Sequence, residues 1–407
     1  MSNRNRIKKL FPKIGMNNKL LNLELERRIN ETPSWSNTKR GFRIGFPQTR
    51  PDHSALQAYK KFLNLNSNNI GDPNLIGKTG TRALEQEVLL ASATLFGDSH
   101  AVGYISTGGT ESNLEAIWMI SSYFSIERKY IAIIKTSLTH YSINKAAMIL
   151  GIKTFDSILS KDYTINIYEL CRLIKSLFAK GFKGFIIVGT VGYTATGTQD
   201  DIEGISQSIS KLKQDLKVKI ALHVDAAFGG LVVKFLKPNL HFDLYNSEVL
   251  TFTVDFHKMG LCPYPSSLFL CRARITKAIK QHIDYADVDD WFVSGSRSGA
   301  AAAACWAVIN HLGYEGYKKK ALYCLELKNW LIKELKVLFP ESEVIKNDLN
   351  IIAIRFGEHR LKLPKNIEIK YRIHPIEISG KLWYRIYVMP HENKKNLNFF
   401  LHDLSKA

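Results

Sequence analysis

The stretch 251–267, TFTVDFHKMGLCPYPSS, decides how this chain folds, because in it a buried strand ends and a polar turn follows directly. Leu250 to Val254 are apolar residues or threonine, a composition typical of a strand buried in a parallel sheet. Asp255, His257 and Lys258 follow at once, and the glycine and prolines after them exclude regular structure. The pattern therefore places the lysine at the carboxyl end of a strand, where open α/β sheets bind ligands.

Two earlier stretches end in functional groups in the same way. The segment 220–230, IALHVDAAFGG, is an apolar strand that ends in Asp225, and a buried aspartate needs a cationic or hydrogen-donating partner. The strand 102–107 leads into Gly108 and Gly109 at the mouth of a helix, where free N–H groups and the helix dipole bind phosphate. An amine, an acid for a protonated ring nitrogen and a phosphate site are the groups that hold pyridoxal phosphate.

Six segments of the chain carry a resemblance to a known family. They are YISTGGTESN (104–113), THYSINKAA (139–147), GTVGYTATGTQDDI (189–202), HVDAAFGG (223–230), DFHKMGLCPYPSS (255–267) and GSRSG (295–299). In order and spacing, from about residue 43 to the end, the chain resembles the group II pyridoxal phosphate decarboxylases. Within that group it looks most like the histidine/serine decarboxylases and the archaeal-type tyrosine/aspartate decarboxylases.

The resemblance implies an α/β fold of fold type I, the aspartate aminotransferase-like architecture, with a mostly parallel central sheet and pyridoxal 5'-phosphate as cofactor. It divides the chain into an N-terminal arm (1–55), a large cofactor-binding domain (56–299) and a small α+β domain with its linking helix (300–407). It implies that Lys258 holds the cofactor and that Asp225 pairs with the ring nitrogen. The other cofactor-binding positions that it implies are Gly108, Gly109, Thr110, His140, Thr194, Ala227, His257 and Ser296.

Three positions concern the reaction or the ring. The resemblance implies that His140 stacks on the cofactor ring opposite Ala227, and we count it with Lys258 in the catalytic set. Arg385 lies where several relatives bind the substrate α-carboxylate, although it could equally be a surface residue of a strand. The acidic segment 284–294 is either a solvated loop or a lid over the neighbouring subunit's site, and its Tyr285 is a candidate proton donor to Cα.

The predicted activity is decarboxylation of an L-amino acid of the histidine, serine, tyrosine or aspartate class, in a cytoplasmic homodimer with the active site at the subunit interface. The main alternative is a carbon–carbon lyase resembling sphingosine-phosphate lyase, which would need a basic pocket for a phosphate head. An aminotransferase would need a second half-reaction. A catalytically idle interaction protein would be expected to lack Lys258 or Asp225.

Composition narrows the remaining function classes. The formal net charge is +19, from 56 basic and 37 acidic residues, but the lysines are scattered and no nucleic-acid-binding motif is present. The five cysteines lack metal-ligand spacing, so we predict reduced thiols and no metal. No apolar run is long enough for a membrane span, and the basic N-terminus lacks the apolar region of a signal peptide.

The coarse element pattern fits this architecture. Between residues 77 and 303 apolar segments alternate with helical patterns, which predicts βαβ units. The predicted strands there are 102–107, 130–135, 184–189, 219–225, 249–254 and 267–271, and those of the C-terminal unit are 350–356, 368–374 and 383–388. A helix predicted at 18–29 leaves three roles open for the arm: packing on a partner subunit, a mobile tail, or a helix that binds another partner. The resemblance places loops 41–51 and 69–73 near the active site.

Overall fold

The computed structural model describes residues 17–31, 43–67, 80–284, 288–357 and 362–406. Tyr285 and the loop 69–73, both assigned to the active site from the sequence, lie outside the described residues. Among the residues that are described, no helix is long and apolar enough to cross a membrane.

A seven-stranded sheet forms the centre of the larger part of the chain. Its strands follow the spatial order β1-β7-β6-β5-β4-β2-β3, and β7 runs antiparallel to both neighbours while the other pairs are parallel. The strands are β1 (Val102–Ser106), β2 (Ile131–Lys135), β3 (Lys153–Asp156), β4 (Gly184–Thr190), β5 (Lys219–Asp225), β6 (Val249–Val254) and β7 (Ser267–Cys271). The sequence predicted all of them except β3, an edge strand whose partly exposed KTFD segment has no apolar run.

Helices cover both faces of this sheet. One face packs against α3 (Gly80–Leu95), α6 (Ile167–Ala179), α7 (Ile202–Leu216), α8 (Gly230–Leu236) and α10 (Gly299–Leu338). The opposite face packs against α4 (Gly109–Tyr123), α5 (Ser142–Leu150) and α9 (Ala273–Thr276). Because both faces are covered, β2, β4, β6 and β7 are buried at every position, which explains their continuous apolar sequences.

The C-terminal part forms a second, antiparallel sheet of order β10-β11-β13-β12. Its strands are β10 (Glu343–Val344), β11 (Ile351–Arg355), β12 (Pro375–Ile378) and β13 (Lys381–Tyr387), and α11 (Lys365–Tyr371) and α12 (Lys394–Ser405) accompany it. A short hairpin of β8 (Gln281–Ile283) and β9 (Val288–Asp290) precedes α10. A single apolar cluster joins the second half of α10 to β11, β13, α11 and α12.

One predicted strand was wrong. The segment 368–374 is not a strand: residues 365–371 form α11, because Ile367 and Tyr371, four residues apart, both face the apolar cluster. Arg372 then adopts a left-handed conformation with φ of 55° and ends the helix, and the strand β12 begins at Pro375. Gly313 interrupts α10 with a φ of 57°.

The first helix also follows its prediction, and a second one follows it in the chain. Helix α1 (Asn18–Glu31) covers the predicted segment, and Leu21, Leu25 and Ile29 are exposed. Helix α2 (His53–Lys61) is capped by Asp52, whose side chain accepts a hydrogen bond from the Ser54 N–H. The role of the arm in packing on a partner stays a prediction.

Candidate active site

A cavity of about 960 Å³ lies where the central strands end and the second sheet approaches them. Gly45, Phe46 and Pro47 line part of it, and they belong to the segment 41–51 that the sequence places near the active site. The sequence-predicted residues that line the cavity are Gly108, Gly109, Thr110, His140, Thr194, Asp225, Ala227, His257, Lys258 and Arg385. Ser296 is exposed and does not line it in the single chain.

Lys258 is fixed by the turn that follows β6. Its Nζ lies 2.8 Å from Oδ2 of Asp255, which is buried and also accepts a 2.6 Å hydrogen bond from Ser267 Oγ. Burial by itself raises the pKa of Asp255, but the neighbouring Lys258 and His257 side chains lower it below its ordinary value. Asp255 is therefore a charged partner that orients the lysine amine, a role that the sequence reasoning did not assign although the residue stands in the quoted DFHK motif.

His257 closes the wall beside the lysine. Its Nδ1 lies 2.8 Å from the carbonyl oxygen of Ser266, so Nδ1 carries the proton and donates it to that oxygen. The ring stacks on Tyr264 with 4.2 Å between the centroids. Burial lowers the pKa of His257, which favours the neutral imidazole.

Asp225 is held at the end of β5 by donors from two directions. Its Oδ1 accepts a hydrogen bond from the Ala227 N–H at 3.1 Å, and its Oδ2 accepts one from Asn113 Nδ2 at 2.8 Å. Asn113 comes from the second turn of α4, which packs against β5. The sequence reasoning missed this asparagine, although it ends the quoted motif YISTGGTESN.

The hydrogen bonds around Asn113 run in one direction. Burial lowers the pKa of His223 to about 4, so this imidazole is neutral, and its Nε2 donates to Asn113 Oδ1 at 2.9 Å. The Asn113 amide then donates to Ser142 Oγ at 2.8 Å as well as to Asp225. Ser142 Oγ is thereby free to donate to His140 Nδ1, also at 2.8 Å. This series of hydrogen bonds fixes the orientation of the His140 ring. The pKa of His140 is lowered chiefly by burial.

The loop before α4 has the geometry of an anion site. The first backbone bonds of α4 run from the Glu111 and Ser112 N–H groups to the Gly108 carbonyl oxygen, so the N–H groups of Gly109 and Thr110 precede them and are available to an anion. Gly108, Gly109 and Thr110 line the cavity there. A Cβ on Gly109 would lie 3.1 Å from Oδ1 of Asp255, so glycine permits the close approach of this loop to the lysine turn. Thr107 is held by Glu111, whose Oε2 accepts hydrogen bonds from its N–H and its Oγ1.

Segment 291–294, at the end of the predicted lid, is anchored to the same helix. The Val293 N–H donates to Glu115 Oε2 at 2.8 Å, and Ser294 Oγ donates to Glu111 Oε1 at 2.7 Å. Glu111 therefore connects the loop before α4, which contains Gly108 and Gly109, directly to segment 291–294. Arg297, the arginine of the GSR motif that comes next in the chain, is buried in an ion pair with Glu85.

Arg385 reaches the cavity from β13 of the second sheet. Its Nε is buried, and no hydrogen-bond partner for it is found among the described residues. A guanidinium placed in this way is suited to bind a carboxylate of a ligand. Thr194 also lines the cavity, and its carbonyl oxygen accepts a 2.8 Å hydrogen bond from the hydroxyl group of Tyr387, which lies on β13 with Arg385.

Tyr193, directly before Thr194, is held by contacts of its hydroxyl group. The residue is fully buried, and its hydroxyl donates to Asp200 Oδ2 at 2.8 Å. Its hydroxyl also accepts a 3.1 Å hydrogen bond from Thr136 Oγ1. The tyrosine thus fixes the turn that presents Thr194.

The residues present fit pyridoxal phosphate. The lysine amine, the Asp225 carboxyl group and the loop of free N–H groups all border one cavity that is large enough for the cofactor and an amino acid. His140 and the small Ala227 also line this cavity.

Comparison with known proteins places the chain in a family. Residues 84–357 match the pyridoxal-dependent decarboxylase conserved domain. The chain is 33% identical over 362 residues to a probable L-tyrosine/L-aspartate decarboxylase of Methanothrix thermoacetophila, covering 88% of each chain. It is 31% identical over 405 residues to the L-aspartate decarboxylase of Thermococcus kodakarensis, covering 97% of this chain and 98% of the relative.

The fold is shared with solved decarboxylases. The structure of L-methionine decarboxylase from Streptomyces sp.590 superposes with a TM-score of 0.84 at 19% identity, covering 98% of this chain and 96% of the other. The fold-type-I architecture that the sequence predicted is thus confirmed. The chain belongs to the family of pyridoxal-dependent decarboxylases, and it is a carboxy-lyase that uses pyridoxal phosphate to decarboxylate an amino acid.

Proposed function

We propose that the substrate is L-aspartate and that the protein removes its α-carboxylate as carbon dioxide, leaving β-alanine. The observation that carries the proposal is the convergence of Lys258, Asp225 and Arg385 on one cavity, with the Nε of Arg385 left without a hydrogen-bond partner among the described residues. The names of the two curated relatives, which include L-aspartate, support the choice of substrate.

The division of labour in the reaction follows from this placement. Pyridoxal phosphate, when bound, supplies the electron sink for the electron pair of the broken Cα–carboxylate bond. Lys258 would hold the cofactor, and Asp255 would orient the amine from 2.8 Å. Asp225 would keep a proton on the ring nitrogen. The Asn113 side chain, which donates to Asp225 Oδ2 at 2.8 Å, fixes the orientation of the Asp225 carboxyl group.

The substrate would be held from the second sheet. Arg385 would bind the α-carboxylate through a charge-assisted pair, and burial of its Nε makes that pair stronger than one in water. His140 would stack on the ring, with its tilt fixed by Ser142. Tyr285 stays the proposed proton donor to Cα; it lies outside the described residues.

The cavity lining disfavours the carbon–carbon lyase alternative. Among its described residues, Lys258 and Arg385 are the only lysine or arginine side chains. Lys258 is committed to the cofactor, so one arginine is the only cation left in the described lining for a substrate phosphate.

We also propose a homodimer with the active site at the subunit interface, in the cytoplasm. Exposed Ser296 and the apolar Met148 and Ile149 of α5, which are 78% and 64% exposed, support a covered surface next to the cavity. The five free cysteines support a reducing compartment, since Cys262 and Cys305 lie only 3.8 Å apart at Sγ without a bond between them.

The purified holoenzyme should be incubated with L-aspartate, L-glutamate, L-tyrosine, L-histidine and L-serine, with the amine and carbon dioxide measured together. Stoichiometric β-alanine and carbon dioxide from L-aspartate, at a higher kcat/KM than from the others, is the expected result. A higher kcat/KM for another amino acid would overturn the assignment of L-aspartate as the substrate. Borohydride reduction followed by peptide mapping should find the cofactor on Lys258, and a label on another lysine would overturn that assignment.

A further inference from the structure

Glu111, in the first turn of α4, contacts two segments that are far apart in the sequence. Its Oε2 accepts hydrogen bonds from the N–H group of Thr107, at 3.0 Å, and from Thr107 Oγ1. Its Oε1 accepts a 2.7 Å hydrogen bond from Ser294 Oγ. One carboxylate oxygen is thus bonded to the loop before α4, and the other is bonded to segment 291–294.

The contact with Thr107 bears on the phosphate site. The cavity is lined there by Thr107, Gly108, Gly109 and Thr110. Glu111 is the third residue of α4, and a glutamate at that position that accepts from the backbone before the helix fixes how the chain enters it. The Glu111 carboxylate therefore holds the loop whose N–H groups, those of Gly109 and Thr110, are available to the cofactor phosphate.

The segment to which Ser294 belongs is held at two further points. Phe292 is 8% exposed, and its ring centroid lies 4.7 Å from that of buried Tyr104. The Val293 N–H donates to Glu115 Oε2 at 2.8 Å. Ser294 itself is not part of the described cavity lining. A change at Ser294 can therefore affect the cofactor only through the residues that it contacts.

We propose that Glu111 is a positioning residue that couples the cofactor phosphate site to segment 291–294. A carboxylate shared by two segments holds each of them best when the other is in place, because every bonded donor fixes the carboxylate for the next one. Cofactor bound at the loop 107–110 then stabilises segment 291–294, and by linkage the anchored segment strengthens cofactor binding. The coupling concerns the cofactor and holds for any amino acid substrate.

The experiment measures how fast the diluted holoenzyme loses pyridoxal phosphate in the absence of an amino acid, from the absorbance of the cofactor that stays bound. We expect Glu111→Ala to lose the cofactor at least about tenfold faster than wild type, because the loop loses two hydrogen bonds. Ser294→Ala should lose it about fivefold faster, the effect of one hydrogen bond. The double variant should lose it no faster than Glu111→Ala, because Ser294 acts only through Glu111.

Glu111→Gln is the conservative variant. Its amide oxygen can accept both bonds from Thr107 and its amide N–H can donate to Ser294 Oγ, so we expect cofactor loss near the wild-type rate. Hydrogen exchange of the holoenzyme amides in the peptide 288–295 should be faster in Glu111→Ala and Ser294→Ala than in Glu111→Gln. Glu127→Ala, which removes an exposed glutamate paired with Lys129, is the matched control and should behave as wild type.

Cofactor loss from Ser294→Ala at the wild-type rate, or unchanged exchange in the peptide 288–295, would overturn the coupling. A double variant that loses the cofactor faster than Glu111→Ala would overturn it as well, and so would Glu111→Gln with the rate of Glu111→Ala. If Glu111→Ala does not fold, Ser294→Ala and Glu111→Gln decide the question. Because no amino acid is present, the outcome is independent of the assignment of L-aspartate as the substrate.

Discussion

Asn113 shows how one side chain can determine the polarity of an active site. Its amide has one acceptor and two donors, and all three are used, by His223, Ser142 and Asp225. Because His223 is neutral and donates from Nε2, the amide has only one orientation that satisfies every group. Each hydrogen bond therefore donates in the direction from the buried His223 toward the groups that border the cavity.

The first prediction concerns this residue. Asn113→Ala removes the donor to Asp225 and leaves the buried His223 N–H without an acceptor, so we expect kcat to fall at least about tenfold and the protein to lose about 1–3 kcal/mol of stability. The absorption spectrum of the bound cofactor should change with pH differently from wild type, because Asp225 loses the hydrogen bond that fixes the orientation of its carboxyl group. Asn310→Ala, an exposed asparagine on α10, is the control. An unchanged spectrum and kcat would show that Asp225 does not depend on Asn113.

The second prediction concerns Arg385. Arg385→Met keeps the length of the side chain but removes the charge, so we expect KM for the amino acid to rise about tenfold or more while cofactor content stays unchanged. Arg172→Met, at an exposed arginine of α6, should leave KM unaltered. Steady-state kinetics and cofactor absorbance measure both quantities. An unaltered KM in Arg385→Met would mean that another group binds the carboxylate.

At the scale of elements, helix α4 is the connecting piece of the site. Its first turn borders the cavity, its second turn holds Asp225 through Asn113, and its acidic side chains hold segment 291–294. Glu115 is fully buried there, and its Oε1 has no hydrogen-bond partner among the described residues. Burial raises the pKa of Glu115 to about 8, so the carboxyl group is protonated at neutral pH.

The third prediction follows from the sign of that shift. The folded protein keeps the Glu115 proton up to about pH 8, whereas the unfolded chain loses it near the ordinary value of 4.5. The contribution of this group to stability is therefore full below pH 4.5 and is lost as the pH rises to about 8, by at most about 1.4 kcal/mol per pH unit. Glu115→Gln does not titrate, so its melting temperature relative to wild type should rise between pH 5 and pH 8. A pH-independent difference would mean that Glu115 is ionised in the folded protein.

At the scale of the whole molecule, the cavity lies between two sheets and beside exposed apolar residues. The second sheet supplies Arg385, and Tyr387 of the same strand is bonded to the loop of Thr194. Asn347 adds a 3.0 Å hydrogen bond from Nδ2 to the carbonyl oxygen of Thr196. These bonds fix the second sheet against the first, although the domain boundaries at residues 55 and 299 stay a proposal.

The fourth prediction concerns assembly. Light scattering should give twice the chain mass of 46.2 kDa for the holoenzyme. The double variant Met148→Glu/Ile149→Glu places two charges on the exposed apolar part of α5, so we expect it to shift the mass toward the monomer and to lower activity together with it. Val337→Glu, at a 76% exposed valine of α10, is the matched control and should stay a dimer. A monomeric wild-type enzyme with full activity would contradict the proposed interface.

The sequence by itself determined the central sheet and the main groups of the site. Strands such as β4 and β6 are continuous apolar runs, and that local pattern suffices because both of their faces are buried. Lys258, Asp225 and the Gly108–Gly109 pair each stand directly after such a run. The carboxyl ends of neighbouring strands meet at one edge, so position in the chain already brought these groups together.

Only the tertiary structure decided the partners of those groups. Asn113 and Asp225 are 112 residues apart, and Arg297 and Glu85 are 212 apart, so no local pattern connects them. The same holds for 368–374, whose apolar residues suit a strand or a helix until packing against α12 and β13 selects the helix. The free energy of burying a polar or apolar group depends on what covers it, and that neighbour is supplied by the folded chain as a whole.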